Sequence, residues 1–366
     1  MKRRSKKKRG RARLVFALVA LLCVAFAGLY AAQGGSWSWL VVGAQDASRH
    51  AFVDGPPTDG EIRVFFAPTS PANPSGIDDH LIALIRGARE SIHAAFYDLE
   101  LESIAAALID RHRMGVKVGI VSDSHYENRD AVQACVRAGI PVVFDKRSAF
   151  MHNKFCVVDN LWVWTGSTNA TYNCMYRNNN NAVLIAAKPL AENYTAEFLE
   201  MHRDRRFGAR SPRNTPTPMF TLGPVVVECY FAPEDGVEKE ILAEIAVARS
   251  TIDFMAFSFT SEPIAKAMAA RIGAGVRVRG LFETRNAADR YSRDDFLAAR
   301  GAEIHLDRNS YNMHHKVIII DVATVVTGSY NFSRNAENQN DENVLILHCP
   351  DIARRYTDEF EALIAP

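Results

Sequence analysis

The sequence predicts an α/β fold, with two tandem α/β sandwich domains preceded by one transmembrane helix. Three observations predict it. One unit occurs twice along nearly the whole folded length, each unit alternates short β-rich apolar runs with helical stretches, and an uncharged apolar segment follows a basic start. Alternation of strands and helices favours a mostly parallel or mixed sheet covered by helices.

The amino-terminal segment predicts a membrane anchor. Residues 1–13 carry nine Lys and Arg and no acidic residue, and residues 14–32 are uncharged. This apolar stretch is close to the roughly 20 residues that cross a bilayer, and it exceeds the usual apolar core of about 7 to 15 residues in a cleaved signal. We expect a cytoplasmic tail (1–13), a single-pass signal anchor (14–32) and a linker (33–60), with the catalytic domains on the periplasmic side of the cell membrane. A cleaved signal peptide is the alternative.

The duplicated unit is visible in segment pairs separated by about 160 residues. IRVFFAP, GVKVGIVSD and MHNKFCVVD, which start at 62, 115 and 151, return as VECYFAP, GVRVRGLFE and MHHKVIIID, which start at 227, 275 and 313. The steady offset indicates one duplicated domain and not a short repeat array. We therefore expect a first lobe at 61–207 and a second lobe at 225–366, joined by a linker at 208–224 that is rich in Pro and Arg.

Charge and cysteine content narrow the function classes. The chain has 43 basic and 42 acidic residues, so without the nine basic residues of the tail the formal charge is −8. Such a body argues against a broad basic surface for sequence-independent nucleic-acid binding, although a local basic cleft stays compatible. The six cysteines have no zinc-site spacing, and we expect most of them to be small buried residues. The sequence leaves open whether two of them form a disulfide in an oxidising compartment.

Each lobe carries the pattern HxKx4D followed by GSxN. The first copy is His152, Lys154, Asp159, Gly166, Ser167 and Asn169, and the second is His314, Lys316, Asp321, Gly328, Ser329 and Asn331. Residues two apart on a strand share a face, so the histidine and lysine of each copy should point into one cleft. The two aspartates have the opposite parity and fall at turns, so we assign them a structural role.

This double pattern resembles the phospholipase D superfamily over about residues 61–365, and it is specific for the superfamily but not for a substrate. The resemblance implies two phospholipase D-like domains with pseudo-two-fold symmetry, whose histidines meet at one phosphorus atom. One imidazole would attack and form a phosphohistidine, and the other would protonate the leaving oxygen. The two lysines, with Asn169, Asn331 and the hydroxyls of Ser167 and Ser329, would hold the non-bridging oxygens. Neither a metal nor another cofactor is expected.

The lobes differ at one position, 28 residues beyond each histidine, where Glu342 stands in the second lobe and Asn180 in the first. A carboxylate raises the basicity of an imidazole, whereas an amide only orients it. In superfamily members with this asymmetry, the acidic residue of the second half contacts the histidine of the first. The resemblance therefore makes His152 the expected nucleophile and His314 the expected general acid.

The sequence leaves three enzymatic functions as alternatives, which differ in their phosphodiester substrate or in the acceptor of the phosphatidyl group. The membrane anchor favours a phospholipase D acting on membrane phospholipid. The compact units resemble small bacterial nucleases of the superfamily and favour an endonuclease. Cardiolipin synthesis is less favoured, because such enzymes typically carry two amino-terminal spans. A binding module that has lost its chemistry is a further alternative, against which the two intact motifs argue. The sequence does not define an oligomeric state.

Overall fold

The computed structural model describes residue 58 and residues 60–68 and 76–365. The predicted tail and signal anchor lie outside these residues. Within the described part of the chain, no helix is long and apolar enough to cross a membrane.

The first lobe is a seven-stranded sheet with the order β1-β7-β6-β5-β2-β3-β4. Its strands are β1 (Ile62–Ala67), β2 (Ser91–Phe96), β3 (Lys117–Ser122), β4 (Val142–Phe144), β5 (Lys154–Val158), β6 (Trp162–Gly166) and β7 (Asn180–Ala186). Its helices are α1 (Ile77–Gly87), α2 (Glu102–Arg113), α3 (Asp130–Arg137), α4 (Tyr172–Tyr176) and α5 (Lys188–His202), with a 3₁₀ turn at Ser124–Tyr126.

The second lobe repeats this order in an eight-stranded sheet, β12-β11-β10-β13-β14-β15-β9-β8. Its strands are β8 (Met219–Leu222), β9 (Val225–Ala232), β10 (Thr251–Ala256), β11 (Arg277–Phe282), β12 (Glu303–Leu306), β13 (Lys316–Ile320), β14 (Thr324–Gly328) and β15 (Glu342–His348). Its helices are α6 (Val237–Val247), α7 (Glu262–Gly273), α8 (Thr284–Ala287), α9 (Asp294–Ala298), α10 (Arg334–Asn338) and α11 (Pro350–Ile364).

Both sheets are mixed, which confirms the predicted α/β fold with a duplicated unit. In each lobe a central strand, β2 or β10, pairs parallel with one neighbour and antiparallel with the other. Part of the predicted linker forms a strand. This strand, β8 (Met219–Leu222), pairs antiparallel with β9. Gly223 has a φ of +57° and begins the two-residue turn between these strands, a conformation that glycine adopts without steric cost.

The two lobes share one apolar core. Strands β5 and β13 are buried along their whole length, which explains their near-continuous apolar sequences. Tyr194 and Phe198 of α5 and Tyr356 and Phe360 of α11 pack between the two sheets in this shared core. A second core lies under α1 and α2 in the first lobe, and a third lies under α6 and α7 in the second. Helices α5 and α11 therefore form the middle layer of the molecule.

Backbone hydrogen bonds join the two sheets at their centre. The amide of His152 donates to the carbonyl of Asp341 at 2.9 Å, and the amide of His314 donates to the carbonyl of Asn179 at 2.8 Å. Each bond crosses from one lobe to the other at equivalent places, as expected for pseudo-two-fold symmetry. The cysteines of the described segments form no disulfide, and four of the five are buried, as predicted for most of them.

Candidate active site

The two histidines lie at the seam between the lobes, each just before a central strand. Strands β5 and β13 begin at Lys154 and Lys316, two residues after His152 and His314. The bridges between Met151 and Asp341 and between Asn179 and Met313 fix the chain immediately before each histidine. The structure therefore brings both predicted motifs to one place.

Each histidine is oriented by a residue of the opposite lobe. His152 Nδ1 lies 2.7 Å from Glu342 Oε2, and His314 Nδ1 lies 2.8 Å from Asn180 Oδ1. A carboxylate only accepts hydrogen bonds, so His152 Nδ1 carries the hydrogen and its Nε2 keeps a lone pair. Asn180 Nδ2 donates to Cys174 O at 3.1 Å, which leaves Oδ1 to accept from His314 Nδ1. The contact expected between Glu342 and His152 is thus present.

The two lysines occupy equivalent buried positions. Lys154 Nζ donates to His152 O at 2.6 Å, and Lys316 Nζ donates to His314 O at 2.8 Å. Each ammonium also lies over an aromatic ring, Tyr97 at 4.8 Å from the centroid and Phe257 at 4.7 Å. A buried ammonium on a ring face is held without a carboxylate partner, so its charge remains available to an anion.

Burial and the lysine charges control the ionisation of the site. Burial lowers the pKa of His152 to about 4, with Glu342 acting in the opposite direction and Lys154 adding to the fall. Burial, then Lys316, Lys154 and His152, lower the pKa of His314 well below its usual range. Burial also lowers the pKa of Lys154 to about 8 and that of Lys316 well below its usual range. The lysine of each lobe therefore lowers the pKa of the histidine of the other lobe. Both imidazoles are neutral near pH 7.

The hydroxyls of Ser167 and Ser329 contact the partners of the two histidines, and their predicted role at the phosphate oxygens stays a prediction. Ser167 Oγ donates to Asn180 Oδ1 at 2.9 Å, and Ser329 Oγ donates to Glu342 Oε2 at 2.6 Å. A hydroxyl has one hydrogen to donate, and here that hydrogen is used on the partner of a histidine. In this arrangement the serines position Asn180 and Glu342.

The amides of Asn169 and Asn331 are half-buried near the same seam. The Oδ1 atom of each is buried and has no hydrogen-bond partner within the described segments. An unsatisfied buried oxygen costs free energy. The predicted contact of these two amides with a phosphodiester stays a prediction.

The remaining motif residues shape the backbone. Asp159 accepts from the amides of residues 89–91 at 2.7 to 3.1 Å, and Asp321 accepts from those of residues 249–251 at 2.7 to 2.9 Å. A Cβ on Gly166 would lie 2.4 Å from Asn181 O, and one on Gly328 would lie 2.2 Å from Asn343 O. The aspartates fix a turn, and the glycines allow two chains to approach closely.

Several residues around the histidines were not predicted from the sequence. The rings of Tyr97 and Phe257 lie 4.7 and 4.6 Å from those of His152 and His314. Asp123 and Glu283 accept from the amides immediately before the histidines, at 2.9 and 2.7 Å. Both pairs occupy equivalent positions of the repeat, so a residue-by-residue comparison of the two copies could have found them.

Behind the histidines lies a second set of equivalent contacts. Asn153 accepts from Asn343 Nδ2 at 2.8 Å, and His315 Nδ1 accepts from Asn181 Nδ2 at 3.0 Å. His315 is fully buried and faces away from the cleft, as its position on the strand predicted. The seam is therefore polar in its interior as well as at the cleft.

Comparison with known proteins agrees with this architecture. A duplicated sandwich with two paired His and Lys residues at its seam defines the phospholipase D superfamily. The sequence model of the family described as "Cardiolipin synthase, PLD-like domain" matches the chain twice, over residues 81–202 and 241–364. Because these matches cover more than half of the chain, it belongs to this family.

Individual relatives match shorter stretches. A mitochondrial cardiolipin hydrolase from Mus musculus is 30% identical over 141 residues, which are 38% of this chain and 64% of the relative. A phospholipase D from Rickettsia bellii is 32% identical over 130 residues, 36% of this chain and 65% of the relative. The chain thus spans less than two thirds of the length of these relatives. The solved phosphatidylserine synthase of Haemophilus influenzae is similar in fold, with a TM-score of 0.63 and 14% identity over 84% of this chain and 86% of that one.

Proposed function

We propose that the protein is a phosphodiesterase of the phospholipase D type, which hydrolyses phospholipid through a covalent phosphohistidine. The observation that carries this proposal is the crossed pairing at the seam, in which Glu342 orients His152 and Asn180 orients His314. Of the two motif histidines, only His152 has a carboxylate partner. A carboxylate on Nδ1 makes Nε2 more nucleophilic and stabilises the positive charge that develops on the ring.

The reaction has two displacement steps. In the first, Nε2 of His152 attacks phosphorus and forms an N–P bond while the P–O bond to the leaving alcohol breaks, and His314 gives its Nε2 proton to that oxygen. In the second, His314 takes a proton from water, the water oxygen bonds to phosphorus, and the N–P electron pair returns to His152. The product is a phosphate monoester. Lys154 and Lys316 stabilise the non-bridging oxygens in both steps.

The low pKa of His314 couples protonation to substrate binding. The positive charges of Lys316 and Lys154 lower that pKa, and a phosphodiester anion between them would offset both charges. Binding of an anion therefore raises the pKa of His314 and favours its protonated form. The general acid is charged when a substrate is present, because opposite charges stabilise each other at short range.

The names of the similar proteins support phospholipid as the substrate class. They are a phospholipase D and a cardiolipin hydrolase. An anchor at residues 14–32 would hold the two lobes beside a bilayer on the periplasmic side, which is consistent with a lipid substrate. Fractionation of cells that express the full chain tests this anchoring, with recovery in the membrane fraction as the expected result. Recovery in the soluble fraction would contradict it.

Endonuclease activity is the second candidate, and one surface feature favours it. The guanidinium of Arg177 lies over the rings of Tyr172 and Tyr311, at 4.8 and 4.9 Å from their centroids. These rings are 48% and 39% exposed. Arg177 is three residues from Asn180, so this group flanks the His314 side of the site. Exposed aromatic rings beside an arginine are typical of surfaces that stack nucleic-acid bases.

The substrate experiment uses the full chain with phosphatidylcholine, phosphatidylglycerol or cardiolipin vesicles and, separately, single-stranded DNA, all with EDTA. We expect release of phosphatidic acid, absent in His152→Asn. Shortened DNA without lipid cleavage would replace the lipid proposal with the nuclease. Phosphatidyl transfer to added glycerol in place of hydrolysis would support a synthase. Loss of all activity in EDTA would contradict the mechanism.

A further inference from the structure

Three carboxylates meet at the junction of the lobes, on the side of α5 that faces the second lobe. Glu197 and Glu200 are one turn apart on α5, and Glu234 follows β9. One carboxylate oxygen of each lies within 4.8 Å of those of the other two. The group therefore combines two side chains of the first lobe with one of the second.

The central member of this triad lacks the contacts that a buried carboxylate needs. Glu200 is only 2% exposed, and neither of its oxygens has a hydrogen-bond partner among the described residues. The side chains of Ser211 and Asn214 lie beside it and favour its charged form, but their geometry is looser than that of a full hydrogen bond. Glu234 Oε2 is buried and unpartnered as well. A buried carboxylate without a partner costs several kcal/mol unless a proton or a cation neutralises it.

The positive charge of Arg206 acts on Glu200 but does not form an ion pair with it. Within the described residues, no ion pair joins any of its three members to a lysine or arginine. Three oxygen ligands from three carboxylates match the preference of hard divalent cations.

The duplication provides an internal comparison. By the offset of 162 residues between α5 and α11, Glu197 corresponds to Glu359 and Glu200 corresponds to Ala362. Glu359 lies 3.4 Å from His315 Nε2, which is equivalent to the contact of Glu197 with Asn153, whereas Ala362 provides no carboxylate in place of Glu200. The triad is thus built on only one side of the pseudo-two-fold axis. Packing that both halves share does not explain it.

We propose that Glu197, Glu200 and Glu234 bind one hard divalent cation, Ca²⁺ or Mg²⁺, which ties the two lobes together. Glu234 is half-buried and gives the ion its route from solvent. The site is separate from the phosphodiester chemistry, because the histidines and lysines complete their own contacts at the cleft. It is nevertheless linked to the seam, since Glu197 Oε1 accepts from Asn153 Nδ2 at 2.9 Å. Asn153 lies between His152 and Lys154.

Thermal unfolding of the purified full chain tests the site without reference to activity. At pH 8, CaCl₂ or MgCl₂ at a saturating concentration should raise the midpoint by about 2 to 4 °C over the value in EDTA. Glu200→Gln should abolish this shift, and in EDTA it should be at least as stable as wild type because it removes a buried carboxylate that has no hydrogen-bond partner among the described residues. Glu192→Gln, an exposed position on the same helix, should keep the full shift.

Calorimetric titration supplies the second measurement. Wild type should bind one CaCl₂ or MgCl₂ ion per chain, and Glu200→Gln should bind none. If Glu200→Gln does not fold, Glu234→Gln decides in the same way, because its half-buried side chain tolerates an amide. No binding of CaCl₂, MgCl₂ or MnCl₂ to wild type would overturn the proposal. An equal midpoint shift in wild type and in the folded variant would also overturn it.

Discussion

The carboxylate of Glu342 lies 2.7 Å from Nδ1 of His152, and these two residues belong to opposite lobes. The equivalent contact of the other half joins His314 to an amide, that of Asn180. Ser329 donates a further hydrogen bond to the same Glu342 oxygen at 2.6 Å, and Asn340 donates to the second oxygen at 3.1 Å. The carboxylate is therefore held in one orientation. It makes the surroundings of His152 differ from those of His314 in an otherwise duplicated site.

Glu342→Gln should lower kcat by about 10²- to 10⁴-fold, because an amide stabilises a developing imidazolium far less than a carboxylate does. The matched control is Glu228→Gln, which removes a carboxylate 2.7 Å from His348, a histidine of the same lobe outside the motifs. That variant should keep kcat close to wild type. Equal losses in both variants, measured under saturating substrate, would assign Glu342 a general structural role.

His314→Asn should separate the two displacement steps. With bis(p-nitrophenyl) phosphate, the leaving group departs without a proton, so the variant should release about one p-nitrophenolate per enzyme and then stop. The second step needs His314 to deprotonate water. His152→Asn should release none, because the nucleophile is missing. Rapid-mixing absorbance distinguishes the two variants, and steady turnover by His314→Asn would contradict the assignment of His314.

The pH dependence of kcat/KM follows from the lowered histidine pKa values. The productive form has neutral His152 and protonated His314, and the pKa of His314 lies well below its usual 6.5. As pH rises above 6.5, the protonated fraction falls about tenfold per unit, so kcat/KM for a substrate with an alkyl leaving group should fall. The maximum of kcat/KM should therefore lie below pH 6.5. A rise in kcat/KM from pH 6 to 8 would contradict this ionisation scheme.

Asp159→Asn should affect stability more than chemistry. Asp159 accepts from three successive backbone amides and lies in a turn at a φ of +51°. An asparagine tolerates that φ but accepts with a single neutral oxygen. The free energy of unfolding should therefore fall by about 1 to 3 kcal/mol, as measured by urea denaturation. Asp321→Asn should match it, and a loss of kcat in folded protein would place the aspartate in the chemistry.

Much of the site was accessible from the sequence because the chain is duplicated. Equal spacing in two copies identified His152, Lys154, His314 and Lys316. The difference between Glu342 and Asn180, together with the resemblance to the superfamily, predicted a contact that is present. The motif residues follow from comparing one copy with the other, and the contact follows from the resemblance to the superfamily.

Other features depend on packing that spacing does not encode. Ser167 and Ser329 share their strand ends with the site, but which acceptor receives each hydroxyl hydrogen is decided by the strand alongside, β7 or β15. Strand β8 is only four residues long and follows a Pro-rich segment, so its pairing with β9 has no clear sequence pattern. The triad of Glu197, Glu200 and Glu234 joins both lobes and has no counterpart in the second copy.

The position of the covalent phosphate tests the central claim most directly. Wild-type enzyme is mixed with substrate labelled at phosphorus, quenched within the first turnover, digested and sequenced under conditions that preserve phosphohistidine. The crossed pairing at the seam predicts label on the peptide that contains His152 and none on the peptide that contains His314. Label on His314, or on neither histidine, would contradict the account.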